Sequence, residues 1–556
     1  MPTISTTEHD RYKRLLTSMR EDRQPWREHW RLIADYVMPR RYNWLQSQRE
    51  TRISTQLSNP LILDGAATLA ARTLAAGMMN GITSPARPWF RLSAPQFRDN
   101  SRVRKWLDAA QSDMLFAMAE SNFYNALAVQ YLDLSVFQTS AMFIYEDDAD
   151  VFRCYNYALG EYFFMQNNRH IVDRFAREFS WRVEQVVAEF GLDNCSQYVQ
   201  DRFKRGGEGY NQKIDLVHMI EPNGPPYRDI GVPQSMPFRE VYWETKGSES
   251  GKLLRVRGFN EWPGSCPRWE IIGNDAYGAG PSSDAMGDIR QLQHMTKRKL
   301  EAMDYMVSPP VVADIQLQHR PTALLPRGIT YVAGANNVGV KPIYTINPPI
   351  GEIDRMIEQL RGRIQEYYHN DLFRMISSLE TVRSATEIDA RREEKLVLLG
   401  PVLDRFQSEA LDASVRRIFG IMYRNGLFPP VPPELEDAEA MIDYTSVLSD
   451  AQRAVGAAPL ERGVAFVGNI AAAVPEALAV VDWEETIRDY WGNVGISEKN
   501  LRTREAVAED RAQQQQQKAI AGAAEVGPPL AQSAKLLSET PVGGASDALS
   551  MILGNQ

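Results

Sequence analysis

The sequence has few of the residues and motifs that enzymes and metal sites use. Its three cysteines, Cys154, Cys195 and Cys266, lie far apart without a CxxC pair, and none of its seven histidines belongs to an HExxH pattern. These spacings exclude a disulfide framework and a zinc site of the usual kinds. We therefore expect a protein of a reducing compartment without bound metal.

Nucleotide-binding and acyl-transfer motifs are also absent. There is no GxxxxGK[ST] loop for phosphates and no GxSxG elbow for a serine nucleophile. The glycines Gly273, Gly278 and Gly280 have the wrong spacing for GxGxxG, so we predict a turn there. The sequence thus predicts no catalytic residues and no cofactor.

The chain has neither an excess of positive charge nor a long apolar run. Its net charge is −9 with a pI near 5.5, which disfavours tight general binding of nucleic acid but allows transient contact with it. The most apolar late run, residues 464–481, is broken by Asn469, Pro475 and Glu476, which indicates a buried helix pair. The polar N-terminus does not resemble a signal peptide. We expect a soluble intracellular protein with no membrane partner.

The chain of 556 residues is long enough for several domains. Its pattern of apolar residues predicts a mostly helical α+β fold. Apolar periodicity predicts N-terminal helices over residues 1–40, 60–81, 101–120 and 121–136. The middle third predicts strands over residues 141–145, 151–155, 162–165, 214–220, 240–244 and 253–259, with a helix over 180–190.

One group of carboxylates, Asp147, Asp148 and Asp150, has the composition of a metal site. Clustered carboxylates of this kind would suit a metal-dependent nuclease. They lie between two predicted strands, however, and a hairpin turn is the favoured interpretation.

The most informative segment is a pair of helices joined by a proline-bounded extended stretch. Residues 283–307 predict a helix that stops at Pro309 and Pro310, and residues 351–369 predict a return helix after Pro348 and Pro349. The first helix has an apolar seam of Ile289, Leu292, Leu300, Met303 and Met306. Its separate polar face consists of Arg290, His294, Lys297 and Glu301. A mechanical part and an ordinary antiparallel helix pair explain this pattern equally well.

A third helix is predicted to begin at Ser384, where Ser384 and Glu387 form a capping box. Gly400 and Pro401 lie in its middle, and proline there predicts a kink that divides the rod into two arms. A proline-rich connector and a smaller helical region follow to residue 507. The last residues, 508–556, include Gln513 to Gln517 and predict a flexible tail.

The order of these parts resembles the portal, or head-to-tail connector, proteins of short-tailed bacteriophages. The resemblance rests on residues 276–312 (AYGAGPSSDAMGDIRQLQHMTKRKLEAMDYMVSPPVV) and 384–411 (SATEIDARREEKLVLLGPVLDRFQSEAL), with support from WREHWRLIADYVMPRR and SPARPWFRLS near the N-terminus. It covers most of residues 10–500 and leaves out the glutamine-rich tail.

This resemblance implies a portal fold that assembles as a ring, usually of twelve subunits, around a channel for double-stranded DNA. The implied regions are an N-terminal helical and α+β wing region (1–282), stem helices (283–307 and 351–369), a clip (308–350), a tunnel loop (370–383), a long kinked wing helix (384–429) and a crown (430–507).

The resemblance also implies partners and contact residues. The ring would sit at the portal vertex of the virion after assembly in the host cytoplasm. It would contact capsid and scaffolding proteins, the packaging motor (terminase), and then tail adaptor and tail tube proteins. The implied clip docking residues are Asp314, Gln316, Gln318, His319 and Arg320, and the implied tunnel-loop residues are Phe373, Arg374, Ser377, Ser378, Glu380 and Arg383.

Alternatives remain open at this point. Arg374 and Arg383 would make weak, salt-sensitive phosphate contacts, or would instead pair with Glu380 and Asp371. The competing functions are another phage tail adaptor or scaffold, and a metal-dependent enzyme that processes DNA.

Overall fold

The structure, a computed structural model, describes the chain with gaps. The described residues are 6–39, 61–97, 100–224, 236–245, 253–307, 311–313, 340–342, 349–371, 400–435, 441–444, 463–467, 481, 483, 486, 487, 507 and 510. The chain divides into two compact units, one of residues 1–93 and 105–452 and one of residues 94–104 and 453–556. In the second unit the described part includes a helical stretch at residues 463–467.

The N-terminal part is helical, as the periodicity predicted. It consists of α1 (Thr6–Tyr36), α2 (Ala66–Ile82), a short strand β1 (Phe90–Ser93), α3 (Ser101–Glu120) and α4 (Phe123–Phe137). Helix α2 packs on α4 through small side chains such as Ala67, Ala70 and Ala71, which are buried. Because alanine has no bulk beyond Cβ, the two backbones approach closely.

The middle third forms two antiparallel sheets and several short helices. Its elements are β2 (Ala141–Asp147), β3 (Val151–Tyr157), β4 (Tyr162–Gln166), β5 (Val172–Arg182), α5 (Val183–Phe190), α6 (Gln197–Arg205), α7 (Glu208–Asn211), β6 (Lys213–Pro222), β7 (Phe238–Glu244), β8 (Arg255–Phe259) and β9 (Gly264–Ser265). One sheet has the strand order β3-β2-β9 and the other the order β4-β5-β6-β7-β8. The predicted strands of this region are confirmed.

Strand β5 is a correction to the sequence analysis. The predicted helix over residues 180–190 begins only at Val183, and the preceding eleven residues form a strand that was not predicted. Charged residues such as Arg177 interrupt its apolar alternation. Arg177 is nevertheless accommodated, because its guanidinium lies over the rings of Tyr157 at 4.1 Å and Phe179 at 4.0 Å.

The five-stranded sheet is covered on both faces. Helix α1 packs on one face, where Tyr12, Leu16 and Met19 contact a buried cluster that includes Val217 and Trp243. The three-stranded sheet covers the other face: Phe143 and Tyr157 lie against Phe175, with ring centroids 4.1 and 5.5 Å apart. A sheet buried on both faces provides a rigid base for the helices that follow.

The C-terminal part of the first unit returns to helices. Its elements are α8 (Pro281–Asp284), α9 (Met286–Val307), β10 (Val311–Ala313), β11 (Val340–Pro342), α10 (Ile350–Tyr367), α11 (Asp412–Arg424) and β12 (Met441–Tyr444). Strand β12 pairs antiparallel with β1, with Phe90 opposite Tyr444. This pairing was not predicted, since two four-residue strands so far apart in sequence leave little local signal.

Among the helices of the described ranges, none is long and apolar enough to cross a membrane. The predicted buried helix pair at residues 464–481 falls largely outside the described residues.

A row of polar side chains crosses the face of the five-stranded sheet that the three-stranded sheet covers. Arg177, His218 and Tyr242 are register partners on three neighbouring strands. The His218 ring stacks on Tyr242 at 4.2 Å, and its Nε2 donates to Glu240 Oε1 at 2.8 Å. Burial lowers the pKa of His218, and the bond to Glu240 opposes this shift only in part. In the folded state, the neutral imidazole of His218 therefore lies opposite the guanidinium of Arg177.

This arrangement predicts a pH-dependent loss of stability. Because the pKa of His218 is lower in the folded state than its ordinary 6.5, the unfolded chain binds a proton more readily below that pH. We expect the His218→Gln variant to lose part of the wild-type decline in unfolding free energy between pH 7 and 5. The pH slopes of the unfolding free energy of the wild type and the variant are expected to differ by up to about 1.4 kcal/mol per pH unit. Urea unfolding at several pH values measures it.

The matched control for this prediction is His294→Gln on the exposed side of α9. We expect the control to keep the wild-type pH dependence. An unchanged pH slope in His218→Gln would contradict the prediction, as would an equal flattening in the control.

Candidate functional site

The predicted stem helices form an antiparallel pair. Helices α9 and α10 match the predicted ranges 283–307 and 351–369 to within three residues at each end. Arg363 bonds Asp288 at 2.8 Å near one end of the pair, and Lys299 contacts Asp354 further along. At about 1.5 Å per residue, the 22 residues of α9 extend roughly 33 Å.

The chain segments that leave and enter this pair lie side by side. Strands β10 and β11 pair antiparallel, with Val311 opposite Pro342 and Ala313 opposite Val340. The beginning and end of the proline-bounded stretch are therefore held together by backbone hydrogen bonds. The predicted clip residues Asp314, Gln316, Gln318, His319 and Arg320 lie outside the described residues.

The base of the helix pair is fixed to the residues just before α2 by a partly buried polar network. Arg361 donates from Nε and Nη2 to Asp64 Oδ2, at 2.9 and 2.7 Å. Gln293 Oε1 accepts from the backbone N–H groups of Leu63 and Asp64 at 2.7 and 2.9 Å, and its Nε2 donates to the Asp64 carbonyl. Since both helices bind the same few residues, their position relative to the N-terminal helices is strongly specified.

A second anchor holds the end of α10. The hydroxyls of Tyr368 and Ser282 lie 2.7 Å apart, and both side chains are buried. Burial raises the pKa of Tyr368 well above its ordinary value, so the phenol stays protonated. His29 of α1 bonds the neighbouring Ser283 at 2.7 Å.

The apolar seam of α9 is covered over only half its length. Ile289 and Leu292 are buried against the rest of the chain. Leu300, Met303 and Val307 follow at spacings of three and four on the same side, with 48%, 43% and 82% of their surface exposed. We call the exposed apolar residues at this end the stem-end patch: Leu300, Met303, Met306, Val307 and, on α10, Met356. Exposed large apolar side chains in one place indicate a protein contact surface.

The predicted polar face lies where the periodicity placed it. Arg290, His294 and Lys297 are exposed, and Glu301 is half-buried. Glu301 bonds Arg298 at 2.8 Å, and Lys297 lies 4.0 Å from it. Exposed pairs of this kind contribute little stability. The role of this face stays a prediction.

The predicted tunnel loop and helix kink are not tested by the structure. The residues Phe373, Arg374, Ser377, Ser378, Glu380 and Arg383 fall outside the described part. The same holds for the capping box at Ser384 and for the helix before Gly400. The described part of this helix starts at Gly400. The arm that would precede the predicted kink therefore lies outside the described residues.

A π-helical segment, Gln407–Leu411, interrupts this long helix and was not predicted. Within it, the Glu409 carboxylate accepts hydrogen bonds from the Arg268 Nη2, backbone N and Nε at 2.6, 3.0 and 3.2 Å. Burial raises the pKa of Glu409, and the bonds to Arg268 oppose this shift in part. The spacing of five between the buried Phe406 and Leu411 is the one sequence signal for the segment.

The two sites that the sequence analysis interpreted as turns are turns. Asp147 Oδ1 accepts from the backbone N–H groups of Ala149 and Asp150, at 2.9 and 3.0 Å, inside the β2–β3 hairpin. These bonds lower the pKa of Asp147. Gly273 has a φ of +59°, and a Cβ on Gly278 would lie 2.5 Å from the Gln138 carbonyl oxygen. Across the described ranges no three metal-ligating side chains come together.

An α+β chain with a firmly anchored helix pair that exposes apolar side chains at one end has the construction of a structural protein with a protein-binding surface. The comparisons with known proteins make this class specific. The family described as bacteriophage head to tail connecting protein matches residues 9–501. The chain belongs to this family, which confirms the resemblance to portal proteins.

Two relatives match most or nearly all of the chain. The portal protein of Salmonella phage epsilon15 is 37% identical over 548 residues, which cover 97% of this chain and 96% of that protein. The probable portal protein of Bordetella phage BPP-1 is 36% identical over 484 residues, covering 85% of this chain and 86% of the relative. The names of both relatives agree with this family and favour a portal function over a tail adaptor or a nuclease.

Proposed function

We propose that this chain assembles as a closed ring, of twelve subunits by analogy with its family, around an axial channel at one capsid vertex. Double-stranded DNA passes through the channel during packaging and again during ejection. The regions are the wing (1–282), stem, clip (308–350), tunnel loop (370–383), long wing helix (384–429) and crown (430–507).

The observation that carries this proposal is the half-covered seam of α9. A ring requires each subunit to offer two different surfaces that fit together head to tail. The stem-end patch is a large apolar surface on a rigid, anchored element, and the neighbouring stem of a ring would cover it. The interface would then continue the packing that Ile289 and Leu292 begin within the subunit.

The charge of the stem suits passage of DNA. Helices α9 and α10 together contain seven basic and seven acidic side chains. A balanced surface gives phosphates no strong binding site, so DNA is able to slide along it. The overall charge of −9 agrees with weak rather than tight contact.

The partners follow from this position in the virion. The clip would dock the packaging motor (terminase) and later the tail adaptor and tail tube proteins, and the wing would contact capsid and scaffolding proteins. The motor would supply the energy, while this chain would act as a structural channel without catalysis.

Deletion of residues 372–381 tests the tunnel assignment. We expect rings of normal size, because the anchors at Arg361 and Tyr368 precede the deletion. We expect DNA retention to fall at least tenfold, because the channel would lose its constriction. Packaging with the cognate motor, followed by nuclease protection, measures retained DNA. Rings with wild-type DNA retention would contradict a role of this loop as the channel constriction. A variant that fails to fold would show that the loop is instead a connection within the folded core.

A further inference from the structure

The stem helix pair has charged side chains on two outer faces, one on each helix. On α9, Arg290, Lys297 and Glu301 recur at spacings of seven and four, so they share one face of the helix. Asp288 and Lys299, which bond α10, lie on the opposite side of α9. The outer face of α9 therefore points away from α10 within the subunit.

Helix α10 has a corresponding outer face. It contains Arg355, Glu358 and Glu366, all of which are exposed. The buried residues of α10 lie on the opposite side of the helix and are Ile357, Leu360 and Ile364. The helix pair thus offers a different surface on each flank, as a head-to-tail ring requires.

Several of these charges have no strong partner within the subunit. Arg290, Arg355 and Glu366 form no ion pair with another described residue. Glu358 bonds Arg361 of its own helix, and an exposed pair of this kind contributes little stability. These side chains are therefore available to charges on a neighbouring subunit.

The bonds within the helix pair determine which residues of α9 and α10 stand at the same level. Lys299 contacts Asp354, and a second bond at the other end of the pair agrees with the same register. By this register Lys297 stands about level with Arg355. Two neighbouring stems at equal height would bring these two residues opposite each other, which is unfavourable because both are positively charged.

A stagger of one helical turn between neighbouring stems, about 5.4 Å, replaces this repulsion by attraction. It brings the outer face of α9 in one subunit level with opposite charges on α10 of the next. The matched pairs are Arg290 with Glu366, Lys297 with Glu358, and Glu301 with Arg355.

We propose that neighbouring subunits of the ring pack α9 against α10 with this stagger, and that the three charge pairs fix it. This inference rests on the proposed ring and names the surfaces that meet within it. Complementary charges across an interface determine register and partner more than they add affinity. The stagger also implies that each stem is tilted relative to the ring axis.

Exchanging the charges of Arg290 and Glu366 tests the pairing, because neither forms an ion pair with another described residue of its own subunit. Arg290→Glu and Glu366→Arg should each raise the protein concentration required for ring assembly about tenfold, because each places like charges at every interface. The double variant Arg290→Glu/Glu366→Arg should return to within about threefold of the wild type, because the pair is restored. Analytical ultracentrifugation measures this concentration. The losses in the single variants should shrink in about 1 M salt, since salt screens exposed charges.

Arg290→Glu/Glu352→Arg is the matched control. Glu352 is an exposed residue of the same helix, about four turns from Glu366, so this exchange keeps the net charge without restoring the pair. We expect the loss of assembly to remain. Wild-type assembly in Arg290→Glu, no recovery in the matched exchange, or equal recovery in both double variants would overturn the pairing alone. A wild-type chain that forms no rings would overturn the ring and the pairing together.

Discussion

Replacing Arg268 by methionine is expected to lower the free energy of unfolding by about 3–5 kcal/mol. The Arg268 side chain is buried and bonds Glu409, Gln166 and the His170 carbonyl. Its removal leaves the largely buried Glu409 carboxylate without its cation. Breaking a buried pair in this way costs far more than the pair itself contributes, because one charge remains desolvated. Urea unfolding followed by circular dichroism measures the change.

The matched control for Arg268→Met is the double variant Arg268→Met/Glu409→Gln. It should recover a large part of the loss, because no uncompensated charge remains. Without Arg268 the pKa of Glu409 should rise further, so the single variant's deficit should shrink as the pH falls from 8 to 5. Equal losses in the single and double variants, at both pH values, would contradict this account of the pair.

Replacing Leu300 and Met303 together by aspartate is expected to abolish ring assembly while leaving a folded subunit. Both side chains are about half exposed in the isolated chain, so the fold tolerates charge there. In a ring the two carboxylates would be desolvated at every interface, at a cost of several kcal/mol per contact. We expect the protein concentration required for ring assembly to rise at least a hundredfold. Analytical ultracentrifugation measures this concentration.

Gln291→Asp is the control for this variant. It adds a negative charge at an exposed, already polar position of the same helix, so rings should form normally. Wild-type rings from the Leu300→Asp/Met303→Asp variant would show that the stem-end patch is not an interface. Loss of rings in both variants would show that α9 does not tolerate added charge anywhere.

The helix pair was predictable because its signals are local. Proline residues bound the helices, and an apolar repeat runs along each of them, so periodicity placed α9 and α10 within three residues. The β2–β3 hairpin was predictable for the same reason, since alternating strands flank a turn-forming Asp147.

The missed elements depend on partners far away in sequence. Strand β5 contains charged residues whose partners lie elsewhere in the chain: the rings of Tyr157 and Phe179 cover Arg177, and Arg20 of α1 pairs with Glu178. The β1–β12 pair joins residues about 350 positions apart, and the π segment becomes intelligible only when Arg268 is seen beside Glu409. Such features arise from tertiary contacts, which override local propensity.

The helix pair shows the same difference between local sequence signals and contacts made by distant residues. The sequence predicted an apolar seam along α9, but it did not indicate which half of the seam would be covered. The covered half is the one in which Gln293 bonds Asp64, which lies 229 positions away in sequence.

Electron microscopy of the purified full-length protein tests the central claim most directly. The account predicts closed rings with an axial channel in which α9 and α10 form the stem and the stem-end patch is covered by the neighbouring subunit. Monomers or globular dimers alone, at high protein concentration and low salt, would contradict it.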